Sequence, residues 1–178
     1  MKKYVITGPP SSGKTTLVGI ISQFGYDVIP ESAEQIIDGQ LKQGGDMVPW
    51  NAARRQEFQA ALIRRQIEVE RAIKGEGLYF LDRAIPDNMA YNLYDGNTPS
   101  DYLLKSSRNG GYDCIFFLEQ LPFYEQTKFR METSQEAKRL SFLLSDVYGS
   151  LGYEVVRVAP MGSAERRAEF IMDIIKDR

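Results

Sequence analysis

Eight consecutive residues near the start of the chain constrain its fold more than anything else in it. Gly8-Pro9-Pro10-Ser11-Ser12-Gly13-Lys14-Thr15 fits G-x-x-x-x-G-K-[ST] at every defined position, the pattern of a loop that wraps a polyphosphate. The chemistry explains the spacing. Phosphate oxygens crowd against the backbone, so Gly8 and Gly13 carry no Cβ, and the loop N–H groups and a helix N-terminus face the negative charge. Lys14 is placed to reach the β- and γ-phosphates, and the Thr15 hydroxyl to ligate Mg²⁺. Such a loop needs a strand before it and a helix after it. Tyr4-Val5-Ile6-Thr7 is a short β-rich run, and Leu17, Ile20, Ile21 and Phe24 share one face of a helix that opens at Lys14 and stops at Gly25. The nucleotide-facing set is therefore Gly8, Pro9, Pro10, Ser11, Ser12, Gly13, Lys14, Thr15 and Thr16.

The rest of the chain repeats the alternation. Strands are expected at Tyr26 to Ile29, Leu78 to Leu81, Cys114 to Leu118 and Glu154 to Val158. Between them the apolar spacing predicts a helix from Glu31 on Ala33, Ile36, Ile37 and Leu41, and a long one from Trp50 to Lys74 on Phe58, Leu62, Val69 and Ile73. Thr133-Ser134-Gln135-Glu136 has capping-box form and opens a helix carrying Leu140, Leu144 and Val147; a last helix from Ser163 buries Ala168, Ile171, Ile174 and Ile175. Strands separated by helices imply an α/β fold, a parallel sheet with helices on both faces, whose ligands bind beyond the carboxyl ends of the strands. Gly8, Glu31 and Asp82 each stand just past a strand end, so they are expected in one crevice.

A length of 178 residues is one domain, residues 1–178, at about 150 residues per domain. The absence of histidine excludes a Ser-His-Asp triad and every histidine-ligated metal site. Acid–base chemistry then falls to carboxylates, lysine, tyrosine or bound water. Cys114 is the only cysteine, which excludes internal disulfides and fits a reducing compartment. With 22 basic and 24 acidic residues the net charge is −2, so nucleic acid is not an expected partner. No apolar run reaches a membrane span of about 20 residues, and the apolar stretch after Met1-Lys2-Lys3 ends at Gly8, too short for a secretory signal. A cytoplasmic protein is expected, monomeric or homodimeric.

Further chemistry gathers around the loop. Asp82 closes an apolar strand, where a carboxylate is well placed to hold Mg²⁺ through water; the expected metal set is Thr15 and Asp82. Arg83 follows with a fork suited to a carboxylate, hydroxyl pair or phosphate. Glu31 either orients or deprotonates an acceptor hydroxyl or a water, or merely complements its helix dipole. Asp87 and Tyr91, four apart on a helix, line the acceptor pocket in the functional reading. Arg130 is the candidate for neutralising charge on the transferring phosphoryl group from a lid spanning about residues 121–139, with Arg139 at its end. Arg54, Arg55, Arg64 and Arg65 beside Glu57, Glu68 and Glu70 read as an ordinary charged surface. Neither N-K-x-D nor L-S-G-G-Q occurs, against a regulatory GTPase and a transporter-type ATPase.

Taken together, the blocks Ile6 to Thr16, Val28 to Ala33, Leu81 to Asp87 and Leu151 to Val158 resemble the small AAA-type P-loop family of ATPases related to the nicotinamide riboside kinase domain of NadR. The resemblance implies a P-loop NTPase of adenylate-kinase-like, three-layer architecture. Its five-stranded parallel sheet would run in order 2-3-1-4-5, with a helical lid between strands four and five. It also implies that Glu31 and Asp82-Arg83 occupy the positions of the acceptor-side carboxylate and the Asp/Glu-Arg motif of nucleoside kinases. Three functions stay open at this point: transfer of the γ-phosphoryl of ATP to a hydroxyl of a small nucleoside-like acceptor, Mg-dependent hydrolysis of a nucleoside or other organic triphosphate, and a nucleotide-dependent binding module. The catalytic set in the enzyme readings is Lys14, Glu31, Asp82 and Arg130, and the substrate set is Glu31, Arg83, Asp87, Tyr91 and Arg139.

Overall fold

In the computed structural model, whose described residues are 1–122 and 133–176, the β-rich run before the glycine loop is the middle of a parallel sheet. β1 (Lys2–Thr7) pairs on one side with β3 (Leu78–Asp82) and on the other with β4 (Cys114–Leu118). β2 (Asp27–Ile29) lies outside β3 and β5 (Val155–Val158) outside β4, giving five strands in the order β2-β3-β1-β4-β5. This is the order that the family resemblance implies.

Side-chain alternation builds two cores. Tyr4 and Ile6 point to one face with Phe80, Phe116 and Leu118, where Leu17 and Ile21 of α1 (Lys14–Gln23) and Ala168 and Ile171 of α7 (Ala164–Lys176) cover them. Val5, Leu81 and Ile115 point to the other. There Tyr148, Leu140 and Leu144 of α6 (Ser134–Ser150) and Ala90 of α4 (Ile85–Tyr94) close the core. Each such buried Leu, Ile or Phe contributes about 2 kcal/mol, so β4, buried along its whole length, is held from both sides. α2 (Ser32–Lys42) and α3 (Arg55–Ala72), with Val48 of the segment between them, add a smaller cluster in which Val48 packs with Ile37 and Phe58.

Most expected elements form within a residue or so of their sequence bounds, with two exceptions. The long helix begins at Arg55, not Trp50, because the Asn51 side chain accepts from Ala53 N–H at 3.2 Å and holds a separate turn there. A short helix absent from the sequence reading, α5 (Asp101–Arg108), is capped by Ser100, whose Oγ accepts from Leu103 N–H at 3.2 Å. The capping box at the start of α6 forms as expected: Glu136 N–H donates to Thr133 Oγ1 at 3.3 Å and Thr133 N–H to a Glu136 carboxylate oxygen at 2.6 Å. Of the expected lid, residues 123–132, with Arg130, lie outside the described residues, and its end forms the first turns of α6. Among the described residues no helix is long and apolar enough to cross a membrane.

Sheet register positions the site. Ile6 pairs with Asp82 and Ile29 with Leu81, so the residues that follow β1, β2 and β3 emerge side by side at one edge.

Candidate active site

Beyond that edge lies a cleft of about 410 Å³, floored by the glycine loop and walled by α2, α3 and the start of α4. The loop is shaped by close contacts. A Cβ on Gly8 would lie 2.6 Å from the Leu118 carbonyl oxygen, which excludes every other residue. Gly13 caps α1 at φ +80° and offers no side chain to its first turn. The N–H groups of that turn are thus left for a ligand, the arrangement an anion favours.

At the centre Lys14, buried, donates to Glu31 at 2.6 Å and also to Asp82. Arg83 Nε donates to the other oxygen of Glu31 at 3.1 Å. Burial works to raise the pKa of Glu31, but the charges of Arg83 and Lys14 and their hydrogen bonds hold it down to about 2. Asp82 moves the other way: burial and the Glu31 charge raise its pKa despite Lys14. Although Glu31 occupies the N-cap position of α2, its side chain makes no capping hydrogen bond; it faces the two cations instead.

Arg83 sits at φ +67°, a left-handed conformation that costs about 1 kcal/mol. Its surroundings compensate. Its N–H donates to the Ile6 carbonyl at 3.1 Å, its NH1 to Asp87 at 3.0 Å and to the Gly8 carbonyl at 3.4 Å, and its guanidinium stands 5.4 Å from the Tyr91 ring centre. Burial opposes its charge, yet Tyr91, Glu31, Asp87 and Asp82 outweigh burial and raise its pKa well above the ordinary arginine value. Asp87 is saturated: it accepts from Thr7 Oγ1 at 2.6 Å, Tyr148 OH at 2.5 Å and Ala84 N–H at 3.0 Å besides Arg83. Asp87 therefore anchors Arg83, with little capacity left for a substrate hydroxyl.

Ile37, Phe58 and Leu62 give the cleft an apolar stretch of wall, alongside Glu34, Asp38, Arg55 and the buried Gln59. Three buried polar atoms of cleft residues, Gln59 Oε1, Ser32 Oγ and Ser12 Oγ, have no hydrogen-bond partner among the described residues. Leaving such an atom unpaired costs about 1–3 kcal/mol.

Pro9, Pro10, Ser11, Ser12, Gly13, Lys14, Thr15, Glu31, Arg83, Asp87 and Tyr91 line this cleft as the sequence suggested, and Asp82 reaches it through Lys14. Gly8 contributes its carbonyl to Arg83. Thr16 and Arg139 are not cleft residues: Thr16 is exposed on α1, and Arg139 is exposed on α6, 5.4 Å from the Tyr94 ring centre. The sequence reading missed Gln59, Gln66 and Glu70. Glu70, read as surface, is buried and accepts from Ile85 N–H at 2.9 Å, Gln66 Nε2 at 2.9 Å and Tyr112 OH at 2.6 Å. The only available signal was a helix whose inward face mixes polar with apolar residues.

For a metal, Thr15 and Asp82 offer hard oxygen donors. Among the described residues no group of three or more His, Cys, Asp or Glu side chains forms a ready cage. Mg²⁺ arriving with a polyphosphate takes only one or two protein oxygens, so the donor set fits it.

A family profile described as an AAA domain matches residues 3–167. The chain belongs to this AAA-domain family. A comparison with curated proteins gives no match. Among solved structures, deoxyadenosine kinase from M. mycoides, with products dCMP and a flexible dCDP bound, superposes with a TM-score of 0.67 at 14% identity, over 99% of this chain and 100% of that one. Thymidylate kinase from Candida albicans gives 0.69 at 17% identity, over 99% and 91%. The same deoxyadenosine kinase with bound dATP gives 0.66 at 15% identity, over 99% and 100%. At these identities the likeness is one of fold, the P-loop fold of nucleoside and nucleotide kinases.

Proposed function

We propose that this AAA-domain protein is a phosphotransferase that moves the γ-phosphoryl group of ATP to a hydroxyl of a small nucleoside-like acceptor. The observation that carries the reading is a single cleft lined both by the glycine loop and by the apolar side chains Ile37, Phe58 and Leu62, with Glu31 and Arg83 in its lining and bonded to each other. A hydrolase needs room for one water. Here an apolar wall of Ile37, Phe58 and Leu62, with the polar residues Gln59 and Ser32 also in the lining, suits a planar ring attached to a hydroxylated unit. The kinase folds that superpose on the whole chain support the same class.

In this reading the loop N–H groups and Lys14 bind the β- and γ-phosphates. Mg²⁺, held by Thr15 and through water by Asp82, supplies charge neutralisation when bound. Glu31 accepts the proton of the acceptor hydroxyl; that oxygen forms a bond to the γ-phosphorus, the bond to the β–γ bridging oxygen breaks, and ADP leaves. Lys14 ties the two halves. When the phosphates draw it from Glu31, the carboxylate loses one of the cations that hold its pKa near 2 and becomes a stronger base as the cleft fills. Arg83, anchored by Asp87, keeps Glu31 aimed.

The test is Glu31→Gln, which keeps the shape and removes the proton acceptor. Transfer is expected to fall by roughly 100–1,000-fold, with ATP affinity unchanged within about threefold. An unchanged rate would refute the role of Glu31, and a matched loss of ATP affinity would place Glu31 at the nucleotide end.

A further inference from the structure

Arg167, on the first turn of α7, is buried at 3% exposure and lies far along the sequence from every residue of the glycine pattern. Each of its hydrogen bonds among the described residues ends on a backbone carbonyl. Nε donates to Ala159 at 2.8 Å, NH2 to Glu119 at 2.9 Å and to Val158 at 3.3 Å, and NH1 to Ser12. These carbonyls come from three segments: the glycine loop, the end of β4 and the end of β5. A Cβ built on Gly13 would meet Arg167 NH1 at 3.5 Å, so the guanidinium lies directly beneath the last glycine of the loop.

The bond to Ser12 has a consequence that follows from peptide planarity. In a trans peptide the C=O and the following N–H point in opposite directions. Holding the Ser12 carbonyl down towards Arg167 therefore turns the Gly13 N–H the other way, towards the phosphate side of the loop. The preceding peptide is held at both ends: the Ser11 carbonyl accepts from Leu121 N–H at 3.0 Å, and the Ser12 N–H donates to the Pro9 carbonyl at 3.3 Å. Charge matters as well as direction. Arg167 brings a positive charge that burial disfavours and the nearby Glu119 charge favours, while its hydrogen bonds all go to neutral carbonyls. A bound polyphosphate would add a second anion to that pairing.

We infer that Arg167 is a positioning residue for the phosphate loop: it locks the Ser12–Gly13 peptide with its N–H facing the polyphosphate, and its charge adds to the attraction for that anion. Lysine carries the same charge on a single ammonium and lacks the planar fork that spans three segments. The inference rests on the loop as a triphosphate site, not on the identity of the acceptor.

The experiment measures binding of adenosine, AMP, ADP, ATP and inorganic tripolyphosphate, with Mg²⁺, to the wild type, Arg167→Lys and Arg167→Met, alongside thermal unfolding of each free protein. The expected result is a loss that grows with phosphate number. Affinity for ATP and tripolyphosphate should fall about 10-fold or more in Arg167→Met, with partial rescue in Arg167→Lys and adenosine binding little changed. Equal losses for all ligands, tracking a lowered unfolding temperature, would make Arg167 a scaffold residue and overturn the inference. Unchanged triphosphate affinity in folded variants would overturn it too. A wild type that holds no triphosphate would overturn both the inference and the proposed function, whereas triphosphate binding without transfer would count against the proposed function alone.

Discussion

Lys14 holds two carboxylates that would otherwise face each other with only Arg83 to balance them. Its role in the free protein is therefore structural, besides the phosphate-binding role proposed for it. Lys14→Met is expected to reduce transfer by about 1,000-fold and to cost roughly 3 kcal/mol of stability, since it breaks a buried ion-pair cluster from one side. The pH dependence has a definite sign. The folded-state pKa of Glu31 is lowered from 4.5 to about 2, so its contribution is fully present above 4.5 and lost as pH falls towards 2. Lys14→Met removes part of that lowering, so the stability gap between wild type and variant should be widest at neutral pH and narrow on acidification. Urea denaturation across that range checks it; a gap that widens in acid would contradict the assignment. At this scale the phosphate loop was legible in the sequence, because spacing alone dictates its chemistry. The left-handed backbone of Arg83 was not: it depends on Ile6, Asp87 and Glu31 arriving from three other segments.

Among the elements, α3 departs furthest from its sequence pattern. The expected stripe ran through Phe58, Leu62, Val69 and Ile73, whereas the buried face holds Phe58, Gln59, Gln66, Ile67 and Glu70. Periodicity assumes that a helix packs on an apolar core. α3 packs on a cleft and on a polar network, so its inward residues are amides and a carboxylate. Gln66 shows the logic, donating to Glu70 at 2.9 Å and to the Arg83 carbonyl at 3.4 Å, which ties the helix to the strained residue of the site. Gln59, by contrast, has an orphaned oxygen. Gln59→Leu is expected to raise the acceptor KM about 10- to 100-fold, because a site that loses a designed hydrogen bond discriminates poorly. ATP affinity should not change, and thermal stability should hold or rise, since an unpaired buried acceptor is removed. Steady-state kinetics with each substrate varied in turn would show this. An effect on ATP alone would move Gln59 out of the acceptor end.

For the whole molecule, the parallel sheet brings residues from distant parts of the chain to one edge, and its order follows from β1 lying at the centre. Strand alternation with helices made the fold class readable, and the three strand-end residues Gly8, Glu31 and Asp82 do converge. Arg167 was invisible because its partners are carbonyls, which no side-chain pattern encodes. The proposed function is transfer, not hydrolysis, and the destination of the γ-phosphoryl group decides between them. Mg·ATP labelled at the γ-phosphate should be incubated with the protein alone and with a pool of nucleosides and hydroxylated cofactor precursors. Label is expected on a member of the pool, with little inorganic phosphate when the pool is left out. Inorganic phosphate released at the same rate with or without the pool would contradict a phosphotransferase.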